Sequence, residues 1–169
     1  MVDAIFKRAS VRKFTDDPTT DDEVRALLRA GMAAPSGGNQ QPWEFYVARD
    51  RATLQLLSEA SPYAKPAAGA ACAIVPCMRT EGLRFPEIAV QDMSACVENI
   101  LLEAVDLGLG AVWMGIAPEP DRMAAVSEIV GAPAGLEPFA VIALGRPETE
   151  PVAKGKDRYE EDRVHWLNC

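Results

Sequence analysis

The residues most able to do chemistry fall in two short stretches near the start of the chain. In Arg8-x-Ser10-x-Arg12 the spacing is alternate, so an extended backbone puts Arg8, Ser10 and Arg12 on one side and Ala9 and Val11 on the other. Two guanidiniums flanking a hydroxyl suit a phosphate or another polyoxygen group, which arginine can grip bidentately. A solvated basic turn is the plainer alternative. The second stretch, Pro35-Ser36-Gly37-Gly38-Asn39-Gln40-Gln41-Pro42-Trp43, holds two glycines and three carboxamides without a charged side chain. Glycine permits positive φ and close backbone approach, and carboxamides both donate and accept. Such a loop suits the polar edge of a flat heterocycle better than a phosphate or a metal; an ordinary helix-to-strand turn would also satisfy the pattern.

Other chemistries find little support. With one histidine, His165, there is no His-rich zinc site and no obvious serine-protease-type triad. His165 stands beside Trp166 and reads as packing or a surface hydrogen bond. Cys72, Cys77, Cys96 and Cys169 show no CxxC spacing, which fits a reduced, cytoplasmic chain. A net charge of −8 and a pI near 4.7 argue against nucleic acid or an anionic membrane as partner. No apolar run reaches the ~18 residues of a membrane span, and Met1-Val2-Asp3 lacks a signal-peptide pattern. The glycine-rich pieces do not form GxGxxG between a strand and a helix.

The elements that must position these stretches are legible as one domain of 169 residues. A short helix is expected over 1–7. Thr20-x-x-Glu23 is a capping box opening a helix to about residue 33, which Pro35 ends. Strands are expected at 43–48, 70–76, 110–115 and 138–145. Further helices are expected at 51–60, capped by Asp50, and at 121–130. The clearest helix spans 91–107, capped by Gln91 or Asp92, with Met93, Cys96, Val97, Ile100, Leu101, Ala104 and Val105 at helical spacing. Residues 79–86 are polar and irregular. The charged tail at 154–161 turns apolar at Val164-His165-Trp166-Leu167, which suggests docking rather than fraying.

Arg8-x-Ser10-x-Arg12, the 35–43 run, Gln91-Asp92-Met93-Ser94-Ala95 leading into Gly108-Leu109-Gly110-Ala111-Val112-Trp113-Met114-Gly115, and Val164-His165-Trp166 occur in that order. Together they closely resemble the nitroreductase family of FMN-dependent oxidoreductases, over nearly the whole chain. The resemblance implies an α+β fold with a central, mainly antiparallel sheet flanked by helices. It also implies an intertwined homodimer with FMN at the subunit interface and the 151–169 tail embracing the partner. Arg8 and Ser10 would hold the FMN phosphate and ribityl chain, and Arg12 would lie nearer the N1 and O2 edge of the flavin. Pro35, Ser36, Gly37, Asn39 and Gln41 would approach the flavin from the partner subunit. Met114 and Gly115 would form a backbone wall along the ring, and Lys156 and Arg158 would complete the phosphate clamp.

The implied reaction is hydride transfer from NADH or NADPH through FMN to a nitroaromatic, quinone or similar small-molecule acceptor, in a ping-pong scheme. No side chain need act as nucleophile or base. Two departures stand out. Ala9 replaces a second arginine found in many relatives, and the 79–90 segment is short, so one wall of the acceptor pocket is small or different. Other readings are a specialised branch (flavin-fragmenting, dehalogenating or ring-oxidising) and a non-catalytic FMN reservoir or redox sensor. Cys72 and Cys77 make the sensor conceivable, although burial as small hydrophobes accounts for both.

Overall fold

A computed structural model of the chain describes residues 3–150 and 158–167. Among these residues, five strands form one antiparallel sheet: β1 (Trp43–Ala48), β2 (Cys72–Arg79), β3 (Gly110–Gly115), β4 (Leu136–Pro138) and β5 (Ala140–Gly145). The order is β1-β2-β5-β3, with β4 paired to the far end of β2. The helices are α1 (Asp3–Lys7), α2 (Asp21–Met32), α3 (Arg51–Glu59), α4 (Ala89–Asp106) and α5 (Pro120–Val130). This is the mixed helix and antiparallel-sheet architecture expected from the sequence.

Both sheet faces are covered, which is why the central strands read as unbroken apolar runs. Along β2, Cys72 and Ile74 join one core cluster while Ala73, Val75 and Cys77 join the other. Along β5, Ala140, Ile142 and Leu144 alternate in the same way with Val141 and Ala143. The first cluster takes Val24 and Leu27 from α2 and Met93, Cys96, Val97 and Ile100 from α4. The second takes Leu54 and Leu57 from α3 and Val126 from α5.

The structure corrects the expected elements in three places. β2 starts at Cys72 and runs on past Pro76 to Arg79. Pro76 has no N–H to give, and β2 changes neighbour there, from β5 at Cys72–Ile74 to β4 at Cys77–Arg79. The expected 138–145 strand is divided at Phe139, whose N–H bonds the Pro76 carbonyl at 2.9 Å. Lastly, α4 begins at Ala89, led in by a 3-10 turn over Pro86–Ile88, so neither Gln91 nor Asp92 caps it.

The α2 capping box is present in full. Thr20 Oγ1 accepts from the Glu23 N–H at 3.2 Å, and the Glu23 carboxylate accepts from the Thr20 N–H at 2.8 Å. That backbone bond, with help from Arg146, holds the Glu23 carboxyl below its ordinary pKa. The depressed value means this stabilisation is in place above the ordinary carboxylate pKa and is lost as pH falls through the lowered one. Thr20→Ala should cost about 1 kcal/mol, read as a lower urea midpoint with an unchanged slope.

In the tail, residues 161–163 form a 3-10 turn, and Trp166 Nε1 donates to Glu161 at 3.2 Å. Trp166 is 76% and Leu167 89% exposed in the single chain, so neither side chain is buried among the described residues. No helix among the described residues is long and apolar enough to cross a membrane.

Candidate functional site

The Arg8–Arg12 stretch is laid along the outer strand β3. After α1 the chain extends, Ser10 forms an isolated parallel bridge with Ala111, and the Val11 N–H bonds the Ala111 carbonyl at 3.0 Å. Gly110 makes this approach possible, because a Cβ there would come within 2.6 Å of the Val11 side chain. With Val11 turned against β3, Ser10 and Arg12 are exposed, as the alternation predicts. Arg12 Nη1 donates to the Ser10 carbonyl at 3.2 Å, which folds the guanidinium back over the segment. Arg8 is half-buried and its Nε lies 3.5 Å from a Glu98 carboxylate oxygen on α4. The structure therefore leaves Ser10 and Arg12 exposed along β3, while Arg8 is half-buried in its ion pair with Glu98.

The 35–43 loop is held under backbone strain. Gly38 has φ +56°, but Asn39 at +55° and Gln41 at +46° also lie in the left-handed region. Asparagine tolerates that region, but a residue such as Gln41 costs on the order of 1–3 kcal/mol there and persists only where the surroundings fix it. Here the surroundings do. Ser36 Oγ accepts from the Gln41 N–H at 3.0 Å, and Arg79 Nη2 donates to the Gln40 and Gln41 carbonyls at 2.9 and 2.8 Å. The Asp92 carboxylate accepts from the Gly37 N–H at 2.9 Å and from Gln40 Nε2 at 2.7 Å. A Cβ on Gly37 would stand 2.1 Å from Ile88 Cδ1, so a larger residue there would have to push the Ile88 side chain aside. The outcome is a rigid loop with Pro35, Asn39 and Gln41 exposed.

Gln40, Arg79, Phe85 and Asp92 are members of this assembly that motif reading misses. One signal was available for Asp92. It lies four residues before Cys96 and eight before Ile100, on the buried stripe of α4, where a carboxylate needs a partner.

Met114 and Gly115 end β3. The Met114 side chain is buried in the α3/α5-side cluster, so its backbone rather than its thioether is what a ligand could meet, and Gly115 is exposed. Arg158 is exposed, whereas Lys156 lies outside the described residues.

Among the described residues the two groups make no direct contact. The 35–43 loop feeds β1 at one edge of the sheet, while Arg8–Arg12 line β3 at the other edge. Three strand spacings, ~14 Å, separate those edges. Among the described residues, no hydrogen bond or ion pair joins Arg8, Ser10 or Arg12 to residues 36–41.

The described cysteines offer no reactive thiolate. Burial pushes the thiols of Cys72, Cys77 and Cys96 up to about 11, 12 and 12 respectively, so they are protonated, inert core groups. Among the described residues, no group of three His, Cys, Asp or Glu side chains could hold a metal ion.

Comparison with known proteins gives this geometry a context. The family model described as "Nitroreductase family" matches residues 5–83 and 56–146. A protein of Archaeoglobus fulgidus described as "Putative NADH dehydrogenase/NAD(P)H nitroreductase" is 41% identical, covering 95% of this chain and 94% of its own. The crystal structure of a "Putative NADH Oxidase" from Clostridium acetobutylicum superposes with a TM-score of 0.93 at 40% identity, covering 98% of this chain and 99% of that one. A "putative nitroreductase in complex with fmn" from Desulfovibrio desulfuricans superposes at 0.83 with 31% identity, covering 99% and 96%.

Proposed function

The chain belongs to the nitroreductase family, and we infer that it is an FMN-dependent oxidoreductase passing hydride from NADH or NADPH to a nitroaromatic, quinone or similar small acceptor. The observation that carries this reading is the strained, charge-free loop that leaves Asn39 and Gln41 exposed at positive φ. Strain of that kind is maintained where a particular surface must be presented. Carboxamides and peptide groups match the donors and acceptors on a flavin edge, and the Arg8, Ser10 and Arg12 surface matches a phosphate and a polyol. The donor set therefore fits FMN.

When bound, FMN supplies the hydride chemistry, accepting from the nicotinamide and giving to the acceptor. The chain's own residues bind and orient. Arg8 and Ser10, with Lys156 and Arg158, would hold the phosphate and ribityl chain. Arg12 would set a fixed positive charge at the ring edge where electron density grows, a preorganised electrostatic role. Pro35, Ser36, Gly37, Asn39 and Gln41 would close over the ring, against the Met114–Gly115 backbone.

Because the two groups lie at opposite sheet edges, each FMN would take the arginine surface of one subunit and the loop of its partner. The working unit is then a homodimer with two sites. The exposed Trp166 and Leu167 suit a tail packed on that partner.

One site used in turn by donor and acceptor gives ping-pong kinetics. Initial rates measured with both substrates varied should plot as parallel double-reciprocal lines. Intersecting lines would instead require donor and acceptor to be bound together.

A further inference from the structure

The Gln40 carboxamide is bonded to the Phe85 backbone as one strand is to another. Its Oε1 accepts from the Phe85 N–H at 2.9 Å, and its Nε2 donates to the Phe85 carbonyl at 3.0 Å. Those two bonds fix which end of the amide faces which way. The second hydrogen on Nε2 then needs an acceptor, and Asp92 provides it at 2.7 Å. The other Asp92 oxygen takes the Gly37 N–H at 2.9 Å. Asp92 is only 6% exposed, so each of these donors meets its acceptor with little help from water.

We propose that Gln40 and Asp92 are a positioning pair that locks the cofactor-facing loop, residues 36–41, to the 84–88 segment as one body. The loop presented to FMN and the wall presented to the acceptor are thereby set together. The two segments also lie close together, since a Cβ added at Gly37 would come within 2.1 Å of the Ile88 side chain and one at Gly38 within 2.8 Å of the Phe85 ring. What the loop faces rests on the proposed function; the lock itself rests on hydrogen bonds made without a cofactor.

The chemistry requires a carboxylate at position 92. Asparagine has the same shape but one oxygen for two donors, so an NH2 group would face an N–H. Gln40 cannot turn over to relieve this without losing both bonds to Phe85.

The test uses Asp92→Asn, Gln40→Ala and the double variant, with Thr20→Ala as a control that lowers stability elsewhere. Amide exchange is followed at Gly37 and Phe85 in protein stripped of FMN, and FMN affinity is measured by fluorescence quenching. Each single variant should speed exchange at both amides and weaken FMN binding, by about tenfold or more in each case. The double variant should be no worse than the worse single, because both remove one shared unit. Thr20→Ala should lower the melting temperature and change neither readout.

Faster exchange at Gly37 with Phe85 unchanged would overturn the lock. An Asp92→Asn protein that speeds exchange at both amides yet binds FMN within about twofold of wild type would overturn the positioning role of the pair, since loosening the loop would then not reach the cofactor. A wild-type chain that takes up no FMN would overturn the proposed function instead, and the exchange pattern would still decide the lock.

Discussion

Arg12→Glu should purify as a folded, colourless protein. Arg12 is exposed, and its structural tie is one 3.2 Å bond from Nη1 to the Ser10 carbonyl. Losing a surface contact of that kind changes stability by no more than about 0.5 kcal/mol. The effect on FMN should be of another order. If the guanidinium faces the ring edge in the proposed intersubunit site, reversal removes an attraction and adds a repulsion. Changes of this type cost about 2–5 kcal/mol, so affinity should fall about 30-fold to several thousand-fold. The measurement is flavin content after purification, followed by titration with FMN. Arg8 would be a less clean test, because its 3.5 Å ion pair with Glu98 on α4 also ties α1 to the fold. An Arg12→Glu protein that stayed yellow at wild-type stoichiometry would remove Arg12 from the site.

The second large effect comes from mixing two inactive proteins. Asn39→Asp keeps a residue type that tolerates φ of +55° but replaces a carboxamide by a carboxylate, which cannot donate to the acceptor atoms of a flavin. Alone, this variant and Arg12→Glu should each bind FMN poorly. In a mixed dimer both lesions fall in the same site, leaving the other with an intact arginine surface and an intact loop. Random reassociation of equal amounts should therefore restore about one quarter of the wild-type FMN sites, because half the dimers are mixed and each regains one site of two. If each site were built within one chain, mixing would restore none. Flavin absorbance before and after unfolding and refolding the mixture reads the result.

The parts of this architecture that were legible in advance are those written locally. The α2 capping box, the bounds of β1 and β3, and the Asp50 cap on α3 all follow from neighbours within a few residues. The division between β4 and β5 was not legible, because it depends on Phe139 meeting the Pro76 carbonyl across the sheet. The early start of α4 was missed because a side-chain cap was expected at Gln91 or Asp92, and the 3-10 turn at Pro86–Ile88 leads in without one.

The candidate site divides in the same way. Arg8, Ser10 and Arg12 declare themselves by type and alternation, and the 35–43 loop by composition. The bond from Gln40 to Asp92 spans 52 residues, and no local pattern encodes such a pairing. Gln41 reads as a ligand candidate and Gln40 as its neighbour. In the structure Gln40 is committed to Phe85 and Asp92, while Gln41 remains exposed.

The central claim, that this chain uses bound FMN to oxidise reduced nicotinamide, is tested most directly by one visible spectrum. The purified protein, held without oxygen, should show the bands of oxidised flavin, which should bleach on adding NADH or NADPH and return on adding menadione or nitrofurazone. Flavin bands that neither nucleotide bleaches would contradict the account, and so would a colourless protein that added FMN fails to turn yellow.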